Sequence, residues 1–389
     1  MDELNWPLMK DNIPLEDLDK VARFFQEVPM LTQSTQVLSF EEEWSDWLGT
    51  GYSVFVNSGS SANLLTMFAL RELLGTGEII VPTLTWASDI TSVLLAGFEP
   101  IFVDINPDTL GMDSDQVLQK ITSETRAVFI THILGYNALE EKLVAALEER
   151  DVLLIEDVCE SHGATFQGRK LGTFGFASNF SFYYAHHMST IEGGMICTDD
   201  RDLWQILRML RSHGMVREAT SDELKESYHG QFPDLNPDFI FAFPAFNVRS
   251  TEINAVIGRS QLKRLDDNVE IRQENLRLFL EGLDPQKYFV EFATRGNSNY
   301  AFTLVLREAD EGLRDGIERI LRQYRVEFRR GTSGGGNQLR QPYLRRLFGE
   351  EFRKYPKVDH VHFFGYYIGN YPGLPRENIH SLCQILNSL

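Results

Sequence analysis

The sequence predicts an α/β protein: one large, mostly parallel sheet domain covered by helices, followed by a smaller C-terminal α/β lobe. Two observations and one packing rule carry this. From residue 51 onward, short apolar runs of strand length alternate with helical stretches. Runs of that length separated by helices are what a parallel sheet buried on both faces requires. After residue 283 the same alternation repeats on a smaller scale.

The elements follow in order. Residues 1–30 are expected as an N-terminal helical segment, 31–265 as the large domain and 266–389 as the small one. "GYSVFV" (51–56) reads as a strand and "SANLLTMFALRELLG" (61–75) as a helix. "GEIIVP" (77–82) and "EPIFVD" (99–104) are strands, with a helix around 88–96 between them. "TRAVFITHI" (125–133) is a strand, 138–151 a helix and "VLLIED" (152–157) a strand. "NFSFYY" (179–184) and "GGMICTDD" (193–200) are two more strands. Residues 251–283 keep apolar residues at helical spacing and predict one long helix leaving the main domain. The small lobe alternates strand (300–306), helix (312–324) and strand (326–330), and closes with a helix at 376–389. The glycine-rich "GTSGGGNQL" (331–339) reads either as a mobile or ligand-adjacent segment or as a plain surface loop.

Composition narrows the function classes. The 389 residues are 43% hydrophobic, as in soluble globular proteins, and no apolar run is long enough for a membrane-spanning helix. The N-terminus "MDELNWPLMK" lacks the basic and apolar regions of a secretory signal. A net charge of −19 argues against nucleic acid as a partner and leaves solubility as its plain meaning. Any anionic substrate must then be held by a local cluster of donors. The three cysteines form no CxxC pair and no zinc spacing, so no metal site and a reduced, cytoplasmic protein are expected.

Several stretches can carry chemistry. In "NSGSSANLL" (57–65), Gly59, Ser60 and Ser61 stand between a strand and a helix, which fits a phosphate cradle and equally an ordinary N-cap. "IEDVCESHGA" (155–164) sets acids at the end of a strand, where α/β sheets bind ligands. Asp157 there suits pairing with a cation, or capping a loop. Trp86 ends a strand and suits either stacking on a planar ligand or core packing. His186 and His187, adjacent at a turn before Glu-Gly-Gly, suit acid/base work or a structural role.

The order of these pieces, continued by "FNVRSTEINAVIGRSQLKRLD" (246–266), resembles the sugar aminotransferase family from about residue 30 to the C-terminus. Those are fold-type I enzymes, built like aspartate aminotransferase, that use pyridoxal phosphate on nucleotide-linked keto-sugars. The resemblance implies that Gly59, Ser60, Ser61 and Ser181 hold the cofactor phosphate. It implies that Trp86 stacks on the ring and that Asp157 keeps the ring nitrogen protonated. Asn247 and Arg249 would reach the phosphate of a neighbouring subunit, which implies a homodimer with sites between the chains. Two slots depart from the family pattern: His186 stands where aminotransferases carry the attaching lysine, and Glu160 where they usually carry glutamine.

Without that lysine, pyridoxal or pyridoxamine phosphate must be held non-covalently. "AHHMSTIEGG" and "CESHGATF" resemble the sugar 3-dehydratase branch, which makes the same swap. Its chemistry implies glutamate as amino donor and a 4-keto-6-deoxyhexose, with or without a nucleotide, as substrate. His186 would move the proton at the cofactor's C4′ carbon while the sugar's C3 hydroxyl leaves. One subgroup of the branch adds an iron–sulfur cluster, but three scattered cysteines cannot supply four thiolates. No cluster is therefore expected, although "GNQLRQPY" (336–343) and "IGNYPGL" (368–374) look like that subgroup. Two rivals stand beside this reading. One is a lysine-free sugar aminotransferase of lipopolysaccharide biosynthesis. The other is a non-catalytic sensor, against which the retained Asp157, Ser181 and His186 argue.

Overall fold

The computed structural model describes residues 3–10 and 12–389. Helices α1 (Leu15–Gln26) and α2 (Thr35–Leu48) precede the sheet. Strands β1 (Tyr52–Val56), β2 (Glu78–Pro82), β3 (Glu99–Val103), β4 (Thr125–Thr131) and β5 (Leu153–Asp157) arrive where the apolar runs place them. Helices α3 (Gly59–Leu74) and α4 (Ala87–Leu95) connect the first three. A short hairpin, β6 (Thr165–Phe166) and β7 (Arg169–Lys170), comes before β8 (Ala177–Ser181) and β9 (Gly194–Thr198).

Seven strands form one sheet in the order β1-β9-β8-β5-β4-β2-β3. β9 runs antiparallel to both neighbours, and the remaining pairings are parallel. Alternate side chains enter two separate cores. Val54, Val56, Ile79, Val81, Phe129 and Ile155 pack on one side, and Phe55, Ile80, Val128 and Leu154 on the other. Both faces being buried is why these strands read as unbroken apolar runs.

The small lobe carries β10 (Ala301–Val305), β11 (Phe328–Arg330) and β12 (Gly365–Gly369), antiparallel in the order β10-β12-β11. The segment ahead of α1 joins this lobe. Trp6 N–H donates to Arg325 O at 2.9 Å, and its indole N–H donates to Gly369 O at 2.8 Å.

Three departures from the expected elements bear on how the lobes and the His186 loop are held. The long helix over 251–283 is two helices, Glu252–Leu262 and Leu265–Gly282. At the break Arg264 leaves helical geometry and grips buried Asp17 of α1 with both guanidinium nitrogens, at 3.0 and 2.6 Å. The strand expected at 179–184 ends at Ser181, which pairs with Gly194, so Phe182 onward belongs to a loop. The third departure is β12, an element the sequence reading did not contain. Among the described residues no helix is long and apolar enough to cross a membrane.

Candidate active site

The ends of β1, β5 and β8 and the starts of α3 and α4 come together at one edge of the sheet, where open α/β sheets bind ligands. At the start of α3, Ser58 Oγ accepts from Ser61 N–H at 3.1 Å, and Ser61 Oγ donates to Asn57 Oδ1 at 2.6 Å. The serine turn is thus a capped helix end. It is also a cradle: a Cβ on Gly59 would lie 2.5 Å from Ser181 Cβ and 3.0 Å from Cys159 Sγ. Only glycine lets the helix start press against β8 and bring Ser181 beside its first-turn amides. Those amides and the helix dipole favour an anion such as a phosphate.

One strand turn away, the two acids of β5 part company because successive side chains leave opposite faces. Glu156 takes the backbone N–H groups of Gly172, Phe174 and Gly175 and pairs with buried His132, a structural role. Asp157 points to the α3 side. Its Oδ1 accepts from Cys159 N–H at 2.9 Å and its Oδ2 from Asn63 Nδ2 at 2.9 Å. The same Asn63 Nδ2 donates to Asp89 Oδ1 at 2.7 Å. Trp86, just ahead of α4, leaves 55% of its surface open, so it is not a core residue.

His186 sits in the turn after β8. Its Nδ1 lies 3.0 Å from Ser181 O, and a carbonyl only accepts, so Nδ1 carries the hydrogen and Nε2 keeps a free lone pair. Burial pushes the imidazole down to about 4, helped by the Arg272 charge and opposed by Ser181 O and Asp157. His186 is therefore neutral at physiological pH, with Nε2 as its one acceptor lone pair. His187 turns away and bonds Ser298 O through Nε2 at 3.2 Å. This divergence comes from the turn, not from strand alternation, since the strand has already ended.

Glu160 links the lobes. Its Oε2 accepts from Leu134 N–H at 2.9 Å and its Oε1 from Ser333 Oγ at 2.7 Å. Burial raises its carboxyl to about 7. Ser333 belongs to the glycine-rich stretch, which is neither a plain surface loop nor remote from the site. A Cβ on Gly334 would meet Thr85 O at 2.1 Å, and buried Thr332 holds a left-handed φ of 61°. Asn247 and Arg249 lie at the rim. Val248 O accepts from Asn57 N–H, and exposed Asn247 Oδ1 accepts from the Arg249 Nε at 3.1 Å.

The edge thus gathers Gly59, Ser60, Ser61, Trp86, Asp157, Glu160, Ser181 and His186, with Asn247 and Arg249 beside it. Sequence reasoning missed Asn63, Asp89 and Ser333. The one local signal for Asn63 was an amide on the mostly apolar buried face of α3, which it shares with one other polar residue, Thr66. These residues fit pyridoxal phosphate: an anion cradle that excludes a Cβ, an exposed aromatic face and a buried carboxylate. Among the described residues no cluster of His, Cys, Asp or Glu is arranged to hold a metal ion, and the three cysteines are free.

Known proteins share the family and the fold. Residues 14–387 match the DegT/DnrJ/EryC1/StrS aminotransferase family. The chain is 30% identical over 394 residues to GDP-4-keto-6-deoxy-D-mannose 3-dehydratase of Yersinia pseudotuberculosis, covering 98% of each protein. The E. coli enzyme of that name, solved with bound hydrated pyridoxal phosphate, is 28% identical with a TM-score of 0.89, over 99% of this chain and 100% of that one. A GDP-4-keto-6-deoxymannose-3-dehydratase structure with a trapped pyridoxal phosphate–glutamate geminal diamine is 28% identical with a TM-score of 0.86, over 98% and 100%.

Proposed function

Because the chain belongs to the DegT/DnrJ/EryC1/StrS aminotransferase family, we propose that it is a pyridoxal/pyridoxamine phosphate-dependent sugar 3-dehydratase. Its substrate is a nucleotide-linked 4-keto-6-deoxyhexose and its amino donor is glutamate. The observation that carries this is His186 in the lysine slot, with Nδ1 tied to Ser181 O and Nε2 free. An imidazole forms no stable covalent attachment to the cofactor but moves protons.

When bound, the cofactor supplies an amine and a ring that takes up electrons. The residues around it hold and orient. The α3 amides, Ser60, Ser61 and Ser181 take the phosphate, while Trp86 offers its open face to the ring. Asp157, held on both oxygens, would sit against the ring nitrogen and keep its proton there. His186 Nε2 takes and returns a proton at the C4′ carbon. Glu160 ties the small-lobe loop to the site and ionises near neutral pH, so it is able to hold a proton beside the sugar. Asn247 is exposed and bonded to Arg249 Nε at the rim of the site; in the homodimer that the family resemblance implies, this pair would complete the partner's phosphate site. A cytoplasmic enzyme fits free thiols and a sugar-nucleotide substrate.

Incubation with glutamate, pyridoxal phosphate and GDP-4-keto-6-deoxymannose tests the proposal. Ammonia with a 3-deoxy sugar is expected. An amino-sugar would favour the lysine-free aminotransferase, and no product would favour the non-catalytic member. Borohydride treatment of the holoenzyme should add no mass to the polypeptide.

A further inference from the structure

A second carboxyl lies behind Asp157. Asp89, in the first turn of α4, is fully buried, as are Thr85 and, nearly, Thr131. Both threonine hydroxyls are within hydrogen-bonding reach of Asp89 Oδ2, that of Thr131 at 2.6 Å. The two hydroxyls are also 2.8 Å from each other. Three oxygens therefore touch pairwise, and three such contacts need three hydrogens. Two come from the threonines. With Asp89 ionised, one contact would be lone pair against lone pair in a dry site; with Asp89 protonated, the triangle closes as a ring of three hydrogen bonds.

The other oxygen of Asp89 faces Asn63, whose single amide nitrogen spans both acids, at 2.7 Å from Asp89 and 2.9 Å from Asp157. Two anions sharing one amide without water would repel each other strongly. We propose that Asp89 is a neutral carboxylic acid in the working enzyme, and that it holds Asn63 so that Asp157 is the lone anion presented to the cofactor's ring nitrogen. Burial, and next the charge of Asp157, raise the Asp89 carboxyl well above its ordinary range, in agreement with the hydrogen count. The neighbouring titratable groups are Cys159 and Tyr343, and burial pushes both upward, so each stays neutral. Asp89 is a positioning residue: it acts through Asn63 and Asp157. The proposal rests on the role given above to Asp157.

Isotope-edited infrared spectroscopy tests it on the whole protein without substrate. With carboxyl-labelled aspartate at pH 8, one protonated-carboxyl C=O band should shift with the label and vanish in Asp89→Asn. No such band, or one that survives the substitution, overturns the proposal whatever the fate of the dehydratase assay. In the holoenzyme, Asp89→Ala should move the cofactor absorbance toward that of an unprotonated ring. It should also lower kcat on the order of tenfold to a hundredfold, through misplacement of Asp157. Asp89→Asn, which still offers a hydrogen to the threonines and an oxygen to Asn63, should restore most of that loss and the spectrum. If it is as defective as Asp89→Ala while equally well folded and loaded, Asp89 acts as a charge and the proposal fails.

Discussion

Replacing His186 with asparagine should remove proton transfer while leaving binding in place. The imidazole's Nδ1 hydrogen is committed to Ser181 O at 3.0 Å, and asparagine can supply a hydrogen in the same direction. The loop has further anchors that do not involve the ring. Asn12 Nδ2 donates to the carbonyls of Tyr184 and His186, and His186 N–H donates to Tyr183 O. Glutamate and sugar should therefore still bind. With the imidazole pushed down to about 4, neutral base outnumbers imidazolium by about a thousandfold at pH 7. Essentially every wild-type molecule is thus competent, and the variant forfeits the whole general-base contribution of about 10²- to 10⁴-fold. At 1.36 kcal/mol per decade this is about 3–5 kcal/mol of barrier. The sign of the pH dependence follows: the base is lost only as pH falls toward 4, so this group leaves the rate flat from pH 6 to 8. The assay is deuterium exchange from solvent into the C4′ position of pyridoxamine phosphate, read by mass spectrometry. Exchange should vanish in His186→Asn and persist in His187→Asn, whose ring bonds Ser298 O. Wild-type exchange in the His186 variant would refute its role as base, and reversed outcomes would move the role to His187.

Three other outcomes follow from the same site. Asp157→Asn should bind cofactor yet lose turnover by about 10²-fold or more, since a neutral partner cannot stabilise a charged ring nitrogen; near-normal kcat would make Asp157 structural. Gly59→Ala places a methyl 2.5 Å from Ser181 Cβ, so cofactor titration should show binding weakened by about tenfold or more, with about 1–3 kcal/mol lost on thermal unfolding. Glu160→Gln should stabilise the protein more at pH 8 than at pH 5. The folded carboxyl is raised from 4.5 to about 7, so its burial cost appears as pH rises above 4.5 and is complete above about 7. The cost is about 1–3 kcal/mol after allowing for partial exposure, and an unfolding difference that does not change with pH would contradict it.

The sheet and its ligand edge were legible because each parallel strand is buried on both faces and so spells an apolar run. His186, Gly59 and Asp157 were legible because each breaks such a run at its end. Asn63 and Asp89 were not. Each is a single polar residue in a helix, and their partner Asp157 lies 94 residues beyond Asn63. Only the sheet order makes them neighbours. The break at Arg264 was hidden because apolar spacing continues across it, while its cause, Asp17, lies 247 residues away. The end of β8 was hidden because buried Phe182 extends the strand-like pattern past the last paired residue. For β12, "GYYIG" sits between two glycines after a helix, and its strand character comes from two partners that close the small sheet.

The segment from Leu4 to Gln26 touches three parts of the molecule. Leu4 and Trp6 are stitched to the turn at Tyr324–Glu327 that leads into β11 of the small lobe. Asp17 is clamped by Ser260 and Arg264 of the large domain, and Asn12 between them hooks the His186 loop from behind. It works as a seat belt whose buckle is the loop that carries the base. A fusion partner attached ahead of Leu4, or a protease cut between Met9 and Pro14, would thus act on lobe spacing and on the aim of His186 together.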